Sequence, residues 1–268
     1  MLEVMSPCFL GARRPRRAGW GFGGSNTRGV GTPPPRSAAS YGVVGNSLRW
    51  VSRLVGGLAL GAGLGAEAGE AGRAVPLLNG RNLEGWTHVL ADPAVPREQV
   101  WSLRDGVLVC TGTPIGVLYT EKNYTNFRLT LEYRWAPGAK PGNSGIMSRL
   151  TPGTGALPRT VEVQLQHGNA GDVIGLWGFP IAGGGQARWF ERESKVAGRV
   201  SGVKKAVAAE KEPGEWNQVE LEARDGRYTV RLNGQLVNDV TGVEVRAGPI
   251  GLQSEGGEIH FRHVMLAP

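Results

Sequence analysis

The residues whose types and spacing suit chemistry are acids and amides that alternate with apolar residues. Glu162 and Gln164 are two positions apart in such a segment, and Glu132 occupies a polar position of another. Because successive side chains of a strand point to opposite faces, Glu162 and Gln164 should project from the same face. Carboxylates and amides placed in this way can transfer protons, bind a metal ion or hydrogen-bond hydroxyl groups. The alternative is a ladder of polar side chains on a solvated sheet face.

The segments that carry these residues have the pattern of strands joined by tight turns. Two-residue alternation runs through residues 126–135 and 160–166. Asp105-Gly106, Asp225-Gly226 and Asn233-Gly234 each separate two apolar-alternating runs, which is the strongest short-range signal for a β-hairpin. Many short strands with such turns predict an all-β fold over residues 75–268, an antiparallel β-sandwich or jelly roll.

Residues 178–215 form the part of this body that is least like a strand. They contain Gly183-Gly184-Gly185 and a cluster of charged residues. A long segment of this kind inside a compact domain is commonly functional. Two interpretations are open, namely a lid over a binding face that carries Trp189, Phe190 and Arg192, or a solvated surface insertion.

The charge distribution argues against a nucleic-acid partner. The formal net charge is +7, and residues 1–65 alone hold eight Arg and one acid, Glu3. The residues from position 66 onward therefore contain 22 basic and 22 acidic side chains. A body without net charge lacks the positive field that a phosphate backbone requires. We therefore expect no nucleic-acid binding.

Common catalytic and metal-binding patterns are missing from the sequence. Residues 142–146 lack the second glycine of a nucleophile elbow, and no Cys/His spacing is typical of zinc. His260 and His263 are three apart and are expected on opposite faces of a strand. Cys110 ends an apolar run and is predicted to be a small buried hydrophobe. No cofactor is indicated, and a divalent metal held by carboxylates stays an open alternative.

The first 70 residues differ in composition from the body. Residues 1–47 are basic and rich in Gly, Pro and Arg, so we expect a disordered leader that buries little apolar surface. Residues 48–70 combine a basic flank, a short apolar stretch and the small-x-small end Ala66-Glu67-Ala68, which is typical of a secretory signal peptide. The stretch is too short and Gly-rich for a stable membrane span. We expect a secreted or periplasmic protein, and the alternative is a Gly/Ala-rich linker.

Motifs along the body follow one another in the order of a known family. The first is LLNGRNLEGW at residues 77–86. The later ones are LYTE at 118–121, EYR at 132–134, GNSGI at 142–146 followed by Arg149, EVQ at 162–164, GEWN at 214–217, and GPIGLQ at 248–253 followed by Phe261-Arg262. Together they span residues 75–268 and resemble the 3-keto-disaccharide hydrolase domain family.

This resemblance implies a concanavalin A-like, laminin G-like β-sandwich. It also implies an exported protein that hydrolyses 3-keto-glycosides or 3-keto-disaccharides. The family often has Asp shortly after its ExQ motif, where this chain has Gln166-His167, and His shortly after GPIGLQ, where this chain has Ser254-Glu255. The rival interpretation is a non-catalytic, lectin-like carbohydrate-binding module, because similar sandwiches serve both roles.

For such a substrate, the resemblance suggests an elimination followed by hydration. A ketone at C3 acidifies the hydrogen at C2, so that a general base can remove this hydrogen and C1 can lose its substituent. Glu162 would be the base or a metal ligand, Gln164 would orient the sugar, and Glu132 would be the second carboxylate. Arg149 would hydrogen-bond the keto oxygen or a sugar hydroxyl, and Arg134 would pair with Glu132.

Five further residues are candidates for contact with the sugar. Asn143 and Ser144 are predicted in a tight turn at the edge of the cleft, where Asn143 either binds substrate or only shapes the turn. His167 is a candidate acid or ligand. Trp177 and Trp189 can stack on a sugar ring. The catalytic interpretation requires that the four residues assigned to catalysis line one concave pocket.

The position of the signal peptide predicts a translation start downstream of Met1, because signal peptides begin near an N-terminus. Val43, Val44 or Leu48 would be read from a GTG or TTG start codon if the source is bacterial. N-terminal sequencing of the mature protein is then expected to give a first residue just after Ala68. A mature chain that begins before Gly45 would contradict this prediction.

Overall fold

The computed structural model describes residues 72–153, 155–182 and 186–268, which form two antiparallel β-sheets. The leader predicted over residues 1–47 and the signal peptide predicted over 48–70 lie outside the described residues. In the described ranges, no helix is long and apolar enough to cross a membrane.

Strands dominate the described part of the chain, where helical structure is confined to α1 (Arg97–Val100) and one 3₁₀ turn at Gln186–Arg188. In chain order the strands are β1 (Val75–Pro76), β2 (Trp86–Leu90), β3 (Trp101–Arg104), β4 (Val107–Cys110), β5 (Gly116–Thr120), β6 (Phe127–Trp135), β7 (Gly145–Thr151), β8 (Arg159–Gln164), β9 (Val173–Leu176), β10 (Trp189–Ser194), β11 (Gly198–Val203), β12 (Asn217–Arg224), β13 (Arg227–Leu232), β14 (Gln235–Val240), β15 (Gly251–Ser254) and β16 (Ile259–Ala267).

The strands are divided between two sheets that pack face to face. Sheet A has the spatial order β14-β13-β12-β6-β16-β4-β3, and β1 pairs with β16. Sheet B has the order β10-β11-β9-β8-β7-β15-β5-β2. All strand pairs are antiparallel, so the predicted all-β antiparallel sandwich is confirmed.

The apolar positions of the alternating strands form the core between the sheets. In sheet A, β6 buries every second side chain from Phe127 to Trp135. In sheet B, Val161 and Val163 of β8 join the same cluster, and the alternation predicted for both segments is confirmed. Cys110 is fully buried, and this burial raises the pKa of its thiol to about 11. Cys110 is therefore a core residue, as predicted.

The three predicted hairpin turns have the backbone conformation that their sequences require. Asp105, Asp225 and Asn233 have φ values of 51°, 43° and 52°, and each is followed by a glycine with positive φ. Two successive residues at positive φ are the mark of the type I′ turn, whose twist matches that of the flanking strands. The turns join β3 to β4, β12 to β13 and β13 to β14, so all three hairpins are confirmed.

Residues 178–215, the part predicted to be least like a strand, contain two strands in their centre. There β10 and β11 pair along their whole length and form a hairpin at the edge of sheet B. Phe190 and Arg192 lie opposite Gly202 and Val200, on the outer face of the sheet, whereas Trp189 packs against the core between the sheets. Trp189 is thereby turned away from the face on which a ligand could stack.

Arg149 lies inside the sandwich, which corrects its predicted contact with substrate. The register of β7 against β8 shifts between Ser148 and Thr151, and Arg149 has a φ of 52°. Such a bulge displaces the alternation and redirects a side chain. The fully buried guanidinium donates to the carbonyl oxygens of Thr125 (3.0 Å) and Glu244, and it lies 5.1 Å from the ring centroid of Tyr228.

Replacing Arg149 should therefore reduce stability. Arg149→Met removes the charged donor from two carbonyl groups, and we expect the free energy of unfolding in urea to fall by about 3 kcal/mol. Arg128→Met is the matched control, because Arg128 is exposed and pairs only at the surface with Glu220; its effect should stay below about 1 kcal/mol. Equal, small effects of both substitutions would contradict a structural role for Arg149.

Candidate active site

A polar cleft lies on the outer face of sheet B, beside the β10–β11 hairpin. Its narrow compartment has a volume of about 70 Å³. The polar side chains that line this compartment come from β8, β10 and β15 and from the residues next to β7 and β15; they are Asn143, Glu162, Gln164, Arg192, Ser194, Gln253 and Glu255. The apolar ones are Leu157, Ile174, Leu176, Val196 and Ala197.

Strand register brings the polar residues of the narrow compartment together. Glu162 and Gln164 both face it from β8, as their two-residue spacing predicts. Gly145 of β7 lies opposite Gln164, and Asn143 precedes Gly145 by two residues, so it points to the same side. The backbone N–H of Asn143 donates to the carbonyl of Gly256 (2.9 Å), which fixes Asn143 against the segment that follows β15. Asn143 is thus placed in the cleft, the position that its predicted role in binding substrate requires.

Gly145 provides the space for the carboxyl group of Glu162. A Cβ atom at position 145 would stand 2.1 Å from Oε1 and 2.7 Å from Cδ of Glu162. Any side chain at this position would therefore displace the carboxyl group. This packing explains the second glycine of the GNSGI motif, Gly145.

Glu162 is an acidic residue whose neighbours on the two adjacent strands are apolar. Its strand neighbours on either side are Met147 and Ile174, and only 2% of its surface is exposed. This burial raises the pKa of Glu162 to about 8, the negative charge of Glu255 adds to the rise, and Arg192 opposes it. A carboxyl group with a pKa near neutrality can both give and take a proton under physiological conditions.

Glu255 is a second carboxylate of the site, and sequence reasoning did not assign it a role. Its Oε2 accepts hydrogen bonds from Nδ2 of Asn143 (2.7 Å) and Nε2 of Gln253 (2.8 Å). Burial raises the pKa of Glu255, while Arg192 and the bond from Gln253 lower it. The available signal was the two-residue spacing of Gln253 and Glu255, which repeats that of Glu162 and Gln164 on a neighbouring part of the sheet.

Three buried oxygen atoms of the narrow compartment have no hydrogen-bond partner within the protein. They are Oε1 of Glu162, Oδ1 of Asn143 and Oε1 of Gln253. Buried polar atoms are rarely left unpaired, and those that remain call for a specific explanation. Hydroxyl groups of a bound ligand are suitable donors to these acceptors.

Glu132 and Arg134 are not part of this site, and their predicted roles are wrong. Both project from the outer face of sheet A, on the other side of the core from Glu162, since their alternate neighbours on β6 fill that core. Oε2 of Glu132 accepts from Nε of Arg262 (2.6 Å). Arg134 lies over the ring of Trp216, at 4.6 Å from its centroid, and does not pair with Glu132 as predicted.

Three other predicted contact residues do not line the cleft. Ser144 is fully buried, and its hydroxyl donates to the carbonyl of Gln253 (2.8 Å). Nδ1 of His167 lies 3.4 Å from Oε2 of Glu210, away from the narrow compartment. The indole N–H of Trp177 donates to the carbonyl of Leu157 (2.6 Å), and its ring lies against Gly198. These side chains contact other groups of the protein rather than a ligand in the narrow compartment.

Positive charge next to the two carboxylates comes from a side chain. Arg192, from β10, lowers the pKa of both Glu162 and Glu255 through its charge. Across residues 72–153, 155–182 and 186–268, no group of three or more His, Cys, Asp or Glu side chains is arranged to hold a metal ion. Arg192 is thus the cation that the described site itself provides.

A wider compartment continues the cleft along sheet B. Its volume is about 510 Å³, within the usual range of about 300–1,000 Å³ for small-molecule sites. It shares Gln164, Ile174 and Arg192 with the narrow compartment. The remaining residues of its lining are Gln166, Asn169, Asp172, Phe190, Glu191 and Lys204.

Two packed antiparallel sheets with a polar cleft on one outer face define a β-sandwich of the jelly-roll type. The chain belongs to the 3-keto-alpha-glucoside-1,2-lyase-like domain family, whose model matches residues 73–267. This result confirms the resemblance seen in the sequence motifs. Comparison with curated protein sequences gives no significant match.

Solved structures support the fold. Two crystal structures from Parabacteroides distasonis ATCC 8503, provisionally described as glycosyl hydrolases, are similar to the chain. The first has 19% sequence identity and a TM-score of 0.51, and the match covers 72% of this chain and 93% of that one. The second has 22% identity and a TM-score of 0.50, with 72% and 98% covered. At this identity the likeness establishes the sandwich fold alone.

Burial of Glu162 should make stability depend on pH in a way that Glu162→Gln abolishes. The pKa is about 8 in the folded state and 4.5 in a solvated glutamate, so between these values the folded protein keeps a proton that the unfolded chain has lost. The free energy of unfolding therefore falls as pH rises, by about 1.4 kcal/mol per pH unit from this group. Glutamine does not ionise, so the variant should melt several degrees above the wild type at pH 8.5 and close to it at pH 4.5.

Thermal unfolding monitored by circular dichroism between pH 4.5 and 8.5 measures this difference. Glu220→Gln is the matched control, because Glu220 pairs with Arg128 on the outer face of sheet A. Its melting curve should shift with pH as that of the wild type does. If the wild type and Glu162→Gln keep a constant difference in melting temperature across this range, Glu162 does not have a raised pKa.

Proposed function

We propose that the protein cleaves 3-keto-glycosides by removing the proton at C2 and expelling the substituent at C1. The observation that carries this proposal is the buried carboxyl of Glu162, a residue that lines a polar cleft in a domain of the lyase-like family and whose Oε1 has no hydrogen-bond partner. The name of that family describes an elimination between C1 and C2 of a keto-glucoside.

The reaction needs a base and an acid that act at adjacent carbons. A base removes the hydrogen from C2, and the electron pair of the C–H bond moves toward the C3 carbonyl to give an enolate. The enolate then re-forms the C3 carbonyl, and the electron pair of its C2–C3 double bond forms a double bond between C1 and C2 as the C1–O bond breaks and its electrons leave on the substituent oxygen. An acid protonates the departing oxygen, so that the products are an unsaturated 3-keto sugar and a free alcohol.

Glu162 is the residue suited to remove the C2 proton. Once ionised, its carboxylate is poorly solvated, because its neighbours in the sheet are apolar and only 2% of its surface is exposed. A raised pKa of about 8 also makes it a stronger base than a solvated glutamate. Oε1 has no hydrogen-bond donor in the protein, so no protein group competes for it.

Glu255 is the residue suited to protonate the leaving oxygen. Two amide N–H groups bond to its Oε2, so Oε1 is the atom left to carry the proton. Burial raises the pKa of Glu255, which keeps a larger fraction protonated than in a solvated glutamate. Two carboxyl groups of one cleft can thus take the complementary roles of base and acid.

Arg192 and Gln164 are suited to bind the keto sugar. The negative charge that develops on the C3 oxygen requires a donor or a cation, and Arg192 is the cation that lines the narrow compartment. Oε1 of Gln164 accepts the backbone N–H groups of Leu165 (2.9 Å) and Gln166 (2.8 Å), so its Nε2 remains to donate to a sugar oxygen. This arrangement supports the role of Gln164 in orienting the sugar.

Addition of water to the unsaturated product would complete a net hydrolysis, as the sequence motifs suggest. We further propose that the reaction takes place outside the cytoplasm, because residues 48–70 have the pattern of a signal peptide. A sandwich of this kind can also serve as a binding module. Binding of a 3-keto-glycoside without any release of the alcohol would favour that alternative.

Substitution of the two carboxylates should affect substrates differently according to their leaving groups. Glu162→Gln should lower kcat/KM at least about 10³-fold for both a 3-keto-disaccharide and a 4-nitrophenyl 3-keto-glucoside, because both require removal of the C2 proton. Glu255→Gln should lower kcat/KM about 100-fold for the disaccharide and less than about tenfold for the nitrophenyl glycoside, whose leaving group needs no proton. Release of the alcohol, measured by chromatography or absorbance, gives both values.

Glu132→Gln is the control for this comparison, since Glu132 lies on the outer face of sheet A and is expected to leave turnover unchanged. If Glu255→Gln is inactive on both substrates while Glu162→Gln retains the nitrophenyl activity, the two roles are reversed. Loss of activity in Glu132→Gln with both cleft variants active would contradict the site itself.

A further inference from the structure

We propose that the wide compartment is a binding site for the leaving group, and that it accepts a sugar ring stacked on Phe190. This inference rests on the proposed function, because it assigns the reacting ring to the narrow compartment. The observations that carry it are the continuity of the two compartments, the placement of Phe190, and the amide groups of the lining.

The two compartments are parts of one cleft with a change in width. The narrow compartment, at about 70 Å³, can take the reacting edge of a ring but not a disaccharide. The wide compartment has about 510 Å³ and meets the narrow one at Gln164, Ile174 and Arg192. With C1 and C2 of the reacting ring against Glu162, the substituent on C1 has room to extend along the sheet into the wide compartment.

Phe190 is held in the position of a stacking platform. It lies opposite Gly202 in the β10–β11 pair, and a Cβ atom at position 202 would stand 2.6 Å from Cζ of Phe190. The ring can lie over the strand only because residue 202 has no side chain. Phe190 is half-buried and lines the wide compartment, so part of its ring remains open to a ligand. An open aromatic face on a polar surface is the usual partner of the apolar face of a sugar.

Amide groups that line the same compartment match the hydroxyl groups of a sugar. Nδ2 of Asn169 donates to Oε1 of Gln166 (2.8 Å). This bond orients both amides and leaves Nε2 of Gln166 as a donor and Oδ1 of Asn169 as an acceptor. A hydroxyl group can satisfy both atoms at once, whereas an aromatic aglycone would cover them without a hydrogen bond.

The experiment compares a 3-keto-disaccharide of two glucose units with methyl 3-keto-glucoside, in the wild type, Phe190→Ala and Phe190→Trp. Phe190→Ala is expected to lower kcat/KM for the disaccharide about tenfold, because the stacking contact is lost. Its value for the methyl glycoside should change less than about twofold. Phe190→Trp retains an aromatic face and should stay within about threefold of the wild type for both substrates.

Binding of the same two ligands, measured by calorimetry in a Glu162→Gln background that cannot turn them over, separates this inference from the proposed reaction. Weaker disaccharide binding on adding Phe190→Ala, with methyl glycoside binding unchanged, supports the leaving-group site even if the wild type releases no alcohol. A wild type that releases no alcohol would overturn only the proposed reaction. If the wild type is active and Phe190→Ala affects both ligands equally or neither, the leaving-group site is overturned and the reaction stands.

Discussion

The site depends on one physical constraint, which is the burial of the Glu162 carboxyl group within an apolar row of sheet B. Met147 and Ile174 flank it in the sheet, and Gly145 leaves the space that the carboxyl group occupies. Burial of an ionisable group costs stability in its charged form, and a protein keeps such a group where function requires it. Glu255, Asn143, Gln253 and Arg192 are arranged around this group, so the chemistry and the electrostatics of the cleft both follow from it.

The two faces of the sandwich differ in what their charged residues do. On the outer face of sheet A, Glu132 pairs with Arg262, and both Arg134 and Arg262 lie over Trp216. These charges satisfy one another at the surface, where such pairs contribute little. In the cleft of sheet B, by contrast, three buried oxygens are left without a partner. Unpaired groups that are sheltered from water, rather than charges as such, distinguish a binding face from a solvated one.

Much of the fold could be predicted from the sequence because hairpin turns and two-residue alternation are local. The Asp-Gly and Asn-Gly turns and the shared face of Glu162 and Gln164 follow from a few adjacent residues. Alternation gives the face of a strand but not its sheet, so Glu132 could not be separated from Glu162. A single bulge redirected Arg149 into the core, and no residue type marks it beforehand. Glu255 and Arg192 reach the cleft only through pairing between distant strands, which a single sequence does not reveal.

The central claim is that the fold gives Glu162 an ionisation unlike that of a solvated glutamate. The most direct measurement is the titration of its carboxyl carbon by ¹³C NMR, with the resonance assigned by its absence in Glu162→Gln. We expect a single transition near pH 8, accompanied by a smaller response to the ionisation of Glu255. A transition at about pH 4–5, the range of solvated glutamates, would show that Glu162 ionises like a solvated side chain and would contradict its raised pKa.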